Sequence, residues 1–248
     1  MRSFLVLAAT IGVIIFNWLA ATGRLAGTDT AAISAKYQTL VTPAGYAFSI
    51  WTLIYVGLVA FSVFQLLPAN VERFRPVRSL YIFTCALNCA WLYFWHQEQI
   101  VVCFVIILTL AVALLAINFI IRESESTTDA WIAKGAFGLY FGWVTAATLV
   151  NFAIMLKFLN ALASPTAETI LAVVLILVAA ALGVLIRLRL TNYFYPLAVA
   201  WALTAIAVKQ SGQTAVVVAC AMGVIACLIA TLSFVMSLNS SESRATSL

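Results

Sequence analysis

The chain has 248 residues, of which 65% are hydrophobic and 8% charged, and its mean hydropathy is +1.11. Soluble domains carry roughly 25% charged residues, so this composition excludes a sizeable soluble domain and reads as an all-α, polytopic membrane helix bundle. The net charge of +5 is small and lies between the apolar segments, which suits membrane orientation and excludes the basic surface that a nucleic-acid partner requires.

Eight apolar segments follow one another at 3–22, 45–66, 79–96, 99–121, 133–156, 168–187, 193–209 and 213–236. Each is near the roughly 20 residues that a membrane helix needs. The first follows a single basic residue and ends without a clear A-x-A site, so it reads as a membrane helix and not a cleaved leader. The loop from Gly23 to Thr42 contains Asp29, Lys36, Tyr37 and Gln38 and runs into Pro43. It reads either as a lid or as a solvated connector. Gln97-Glu98 makes a tight turn between the third and fourth segments, and the Ser-rich tail over 237–248 reads as disordered.

With eight spans, both termini and the even-numbered loops share one side. That side holds Arg2, Arg73, Arg75, Arg78, Arg122, Lys134, Arg187, Arg189 and Arg244, and the other holds Arg24, Lys36, Lys157 and Lys209. Nine basic residues against four predict a multi-pass protein of the cell membrane with both termini in the cytoplasm.

Three segments carry polar and aromatic stripes at helical spacing. Tyr140, Trp143, Ala147 and Asn151 share one face of the fifth segment. Phe48, Trp51, Tyr55 and Ser62 mark the second, and Tyr81, Thr84, Asn88, Trp91 and Trp95 the third. A carboxamide is costly in lipid, so these faces should turn into the bundle. The expected ligand-binding set is Trp51, Tyr55, Asn88, Trp91, Trp95, Tyr140, Trp143, Ala147 and Asn151, walls of one aromatic pocket. Each has a plainer reading as well. Trp51 fits an interfacial belt, Asn88 and Asn151 fit interhelical hydrogen bonds worth on the order of 1 kcal/mol, and Trp91, Trp95 and Trp143 fit packing.

Catalytic signals are weak. His96 and Glu98 form the one candidate acid/base pair near a membrane face. The five cysteines, Cys85, Cys89, Cys103, Cys220 and Cys227, fall in apolar segments and act as small hydrophobes. Neither a disulfide framework nor a metal site is expected, and no nucleotide, hydrolase or metalloprotease motif calls for a cofactor.

Three motifs resemble the tryptophan-rich sensory protein or translocator protein family (TspO/MBR). Trp51-Thr52-Leu53-Ile54-Tyr55 is similar to its W-x-x-x-Y, and Ala86-Leu87-Asn88-Cys89-Ala90-Trp91 to its A-L-N-x-x-W. Trp143 through Ala147 to Asn151 is similar to its W-x-x-x-A-x-x-x-N. The order and spacing hold over 1–157. Ser49 stands where the family usually has proline, the lid loop is poor in tryptophan and proline, and 158–236 adds three helices to the family's five. The resemblance implies a five-helix core, a pocket for porphyrins, sterols or similar flat hydrophobic molecules, and homodimers. The leading expectation is a sensor or carrier of such a ligand. The alternatives are a membrane enzyme acting on a lipid or isoprenoid, and a small-molecule transporter.

Overall fold

The computed structural model describes residues 2–123, 127–162 and 164–245, with side chains over 3–123, 127–162 and 164–233. Among these residues there are helices and no strands. The order is α1 (Arg2–Ala21), α2 (Thr30–Lys36), α3 (Ile50–Phe64), α4 (Arg75–His96), α5 (Ile100–Ile121), α6 (Thr127–Asp129), α7 (Gly135–Phe158), α8 (Pro165–Leu190), α9 (Phe194–Lys209) and α10 (Thr214–Ala245). A 3₁₀ turn, Gly45–Ser49, leads into α3, and a π-helical stretch, Ala130–Lys134, leads into α7.

The eight apolar segments appear as eight long helices in the expected order. Six of these have the length and apolar character to cross a membrane. The other two are α4 and α9. Helix α4 has 22 residues but carries Arg75, Arg78 and Asn88. Helix α9 has only 16 residues, and its Tyr195, Ala198, Val199 and Leu203 are buried against α7, α8 and α10. The expected tail, 237–248, falls partly on the last turns of α10 and partly on 246–248, outside the described residues.

The helix ends follow local chemistry. Asp29 caps α2, its carboxylate accepting from Ala32 N at 2.8 Å, and Ser164 caps α8 by accepting from Ala167 N at 3.2 Å, with Pro165 in the first turn. Three helix-to-helix turns pass through left-handed residues other than glycine: Glu98, Asn160 and Thr191. A β-branched residue is strained there. Thr191 is held by Lys134 Nζ at 3.3 Å and donates to Arg122 O at 3.3 Å.

Helix α7 is central and packs on α3, α5 and α9. Its Gly138 and Gly142 let the start of α9 approach. A Cβ on Gly142 would lie 2.4 Å from Tyr195 O, and one on Gly138 would lie 2.2 Å from Asn192 Oδ1. This is the small-xxx-small contact by which membrane helices pack closely without a hydrophobic driving force. Asn192 then donates to Asn118 Oδ1 and to Lys134 O, both at 2.9 Å.

The loops gather at two opposite ends. At one, α2 and residues 37–44 meet the 97–99 turn and Gln210, which donates to Thr39 O at 3.1 Å. At the other, Gln65 donates to Ser3 O at 2.9 Å, and Arg78 ties Gln65 Oε1 at 2.8 Å. There Arg73 is paired with the fully buried Asp129.

Candidate functional site

Beneath α2, at the lid end, the bundle encloses a small cavity of about 50 Å³. That is room for a few waters. Phe48 comes from the 3₁₀ turn, Trp51 from the start of α3, Asn88, Trp91 and Trp95 from α4, and Trp143, Ala147 and Asn151 from α7. The top is closed by Thr30, Ser34 and Pro43, and one wall by Ala202 and Ile206 of α9.

Seven of the nine expected site residues therefore border one hollow. Tyr140 lies fully buried beneath it, its hydroxyl accepting from Asn88 Nδ2 at 3.1 Å. Tyr55 lines a separate groove on the α1 side. The stripes also do not line one hollow along their whole length. Towards the opposite end Ser62 and Tyr81 meet Thr10 of α1 at 2.6 and 2.7 Å, and Phe61, Tyr81 and Phe137 pack edge to face. Those lower halves are interhelical glue.

The aromatic walls are pre-stacked. Trp51 lies parallel to Tyr55 at 5.4 Å and Trp91 to Trp95 at 5.2 Å, in both cases 19° apart. Trp51 meets Trp143 edge-on at 6.4 Å. Neighbours one helical turn apart are rigidified by such stacking, worth about 0.5–1.5 kcal/mol per pair. The flat face of one indole is the natural partner for a flat ligand.

Both carboxamides are already engaged. Asn88 Oδ1 accepts from Asn17 Nδ2 at 2.7 Å while its own amide reaches Tyr140, so Asn88 joins α1, α4 and α7. Asn151 Oδ1 accepts from Trp91 Nε1 at 3.2 Å, and its Nδ2 donates to Ala147 O at 2.9 Å. The interhelical role holds for both. Each amide group keeps one further N–H, a donor for an acceptor in the cavity.

The loop over the cavity is clasped shut. Lys36 Nζ lies 2.6 Å from both carboxylate oxygens of Glu98, and the Tyr37 hydroxyl donates to the same carboxylate. Trp95 Nε1 donates to Thr30 O at 3.3 Å. From the other side α9 holds the chain after the lid: Ala44 N donates to Ala205 O at 3.0 Å and Trp201 Nε1 to Ala47 O at 2.9 Å. Between the two readings of this loop, the geometry is that of a lid. It also removes Glu98 from the expected acid/base pair, because that carboxylate is committed to Lys36 and Tyr37. His96 is buried, with Nδ1 on Leu92 O at 2.8 Å, and no contact joins it to Glu98 among the described residues.

The clasp has a defined pH range. Hydrogen bonds from Lys36 and then Tyr37 hold Glu98 below the ordinary carboxylate value, and the Glu98 bond, with partial desolvation, pushes Tyr37 up to about 12. A lowered carboxylate pKa gives stability that is present above the unfolded value and lost as pH falls through the folded one. A raised tyrosine pKa gives stability lost only as pH rises through about 12. The lid is thus expected to stay closed across neutral pH and to open in acid below the unfolded carboxylate value. Limited proteolysis of the 23–44 loop against pH checks this. Glu98→Gln should be cut faster at pH 7, and equal rates for the two proteins would remove the clasp from the account.

Among the lining residues that sequence reasoning passed over are Thr30 and Ser34 of α2, Ile107 and Leu110 of α5, and Ala202 and Ile206 of α9. Ala202 and Ile206 are small or plain aliphatic side chains on one of the three added helices, and nothing in their chemistry marks them. Among the described residues no group of three or more histidine, cysteine or acidic side chains is placed to hold a metal.

No curated protein and no solved structure matches the chain. The family model for TSPO-like protein matches residues 3–234, through α1 to α9 and α10 as far as residue 234, and so takes in the last three helices as well as the first part of the chain. Trp51, Asn88, Trp91, Trp143, Ala147 and Asn151 of the three motifs border the cavity, and the chain belongs to the TSPO-like protein family.

Proposed function

We propose that this membrane protein binds a flat hydrophobic molecule of the tetrapyrrole or sterol type in the tryptophan cavity, and serves as its sensor or carrier. Membership of the TSPO-like family points to a membrane protein that binds hydrophobic ligands. The observation that carries the finer reading is the convergence of Trp51, Trp91, Trp95 and Trp143 with Asn88 and Asn151 on one hollow beneath a clasped lid. Stacking faces supply affinity for a planar ring, and the remaining amide N–H groups supply orientation.

The cavity of about 50 Å³ is far below the roughly 300–1,000 Å³ that a drug-sized ligand occupies. Binding therefore requires the lid to lift or the indoles to swing. The stacked pairs and the Lys36–Glu98 clasp are the contacts that must yield. This makes ligand affinity and lid opening two readouts of one equilibrium. The basic-residue asymmetry orients both termini to the cytoplasm of the cell-membrane protein, which puts the lid on the outer face.

Titration of the purified protein with protoporphyrin, followed by tryptophan fluorescence, is the test. Saturable quenching is expected. Trp51→Ala, Trp91→Ala and Trp143→Ala should each weaken binding about 3- to 10-fold, the equivalent of one aromatic contact. Unchanged affinity in all three would remove the cavity as the site.

A further inference from the structure

On the lipid-facing side of α1 and α3, below α2, runs a second and larger hollow, a groove of about 810 Å³. Its composition changes along its length. At the lid end stand Asn17, Asp29 and Thr52, and towards the middle of the bundle stand Ile14, Val56 and Val59. From Thr52 to Val59 the helix rises about 10 Å. Val56 is 63% exposed and Trp18, on the opposite lip, 50% exposed, so the groove opens sideways to the bilayer and is no part of the sealed core. Only Thr30, Phe48 and Trp51 also border the tryptophan cavity.

The polar end carries two free acceptor oxygens beside the hydroxyls of Thr30 and Thr52. Asn17 uses both amide hydrogens, on Val13 O at 2.9 Å and on Asn88 Oδ1 at 2.7 Å, which leaves its oxygen as an acceptor. Asp29 spends one carboxylate oxygen on capping α2 and has the other to offer. An exposed cation, Arg24, lies over the Trp18 ring at 4.7 Å outside the groove walls, so the mouth as a whole holds one charge of each sign. The floor adds Tyr55, whose hydroxyl is shielded from solvent and has no hydrogen-bond partner among the described residues.

We propose that this groove binds a single-chain amphiphile with a neutral hydroxyl head, a long-chain alcohol entering from the surrounding leaflet. The head hydroxyl donates to the free oxygen of Asp29 or Asn17, accepts from Thr30 or Thr52, and carries no charge to be repelled by Asp29. The chain lies against Ile14, Val56 and Val59 and replaces lipid along the open side. A fatty acid would set a carboxylate against Asp29, and a two-chain phospholipid would bring a phosphate to the same place. The groove shares the wall of Thr30, Phe48 and Trp51 with the tryptophan cavity, but Ile14, Asn17, Asp29, Val56 and Val59 border the groove alone.

Native mass spectrometry of the purified protein with added hexadecanol tests it, with hexadecyl methyl ether and palmitate as comparators. The expected result is a saturable one-to-one adduct with hexadecanol. The methyl ether, which cannot donate, and palmitate should bind roughly 10-fold more weakly or less, since a hydrogen bond to a charged acceptor is worth about that ratio or more. Val56→Phe, on the lipid-exposed wall, should reduce hexadecanol binding and leave protoporphyrin quenching as in the parent. Asp29→Asn keeps a helix cap and should narrow the gap between alcohol and palmitate. Equal binding of alcohol and ether, or an adduct untouched by Val56→Phe, overturns the proposal.

Discussion

Gly142→Ala will destabilise the bundle by about 1–3 kcal/mol, and Gly142→Val by more. The new methyl would lie 2.4 Å from Tyr195 O and 2.9 Å from the Ala198 side chain. A carbonyl oxygen on a packed helix cannot turn aside as a flexible side chain can. Helix α9 must back away from α7 along its whole length. The damage spreads, because α9 also carries Ala202 and Ile206 into the cavity wall, accepts from Ala44 N at Ala205 O and donates from the Trp201 indole to Ala47 O. Loss of the lid anchor and loss of stability should therefore appear together. Thermal unfolding in detergent, with proteolysis of the 23–44 loop in parallel, checks both. Gly12→Ala is the control, because its added methyl meets nothing within 4 Å. If the two variants melt alike, close helix approach is not what holds α9 in place.

Arg73→Met will be the second severe change, at about 3–5 kcal/mol. Asp129 is fully buried, and apart from Arg73 neither of its carboxylate oxygens has a hydrogen-bond partner among the described residues. Removing the guanidinium leaves a carboxylate out of water with no countercharge. The reverse change is milder. Arg73 has a side chain 40% exposed, so in Asp129→Asn its charge can turn to water. The expected order is Arg73→Met far below Asp129→Asn, with the double variant recovering part of the loss. Chemical or thermal unfolding of the three proteins reads it. Equal effects of the two single changes would show that the pair contributes by attraction alone and not through the desolvation of Asp129.

Six of the eight long helices were legible because membrane spans announce themselves by length and hydropathy, and lipid forces every backbone group into a helix; α4 and α9 were legible only as apolar segments between turns. The three stripes were legible for the same reason. An amide or hydroxyl at helical spacing in an apolar run has to find a partner, and Asn88 and Asn151 found Asn17, Tyr140 and Trp91. The length of the pocket was not legible. Periodicity says which face points inward but not where two inward faces separate, so Ser62 and Tyr81 were grouped with residues that border the cavity while they close on Thr10. Tyr55 sits on the correct helix face but on the far side of Trp51.

The sequence by itself determined that this chain is a helical membrane protein, in what order its helices run, and which aromatic and amide side chains must avoid lipid. These are consequences of solvent and of spacing along one helix. Tertiary structure alone decided that α9 walls the cavity, that Glu98 serves the lid instead of His96, and that Arg73 neutralises Asp129 across 56 positions of chain. Such contacts depend on the distance between helices, and that distance is set by glycines such as Gly138 and Gly142, whose effect comes from the side chain they lack.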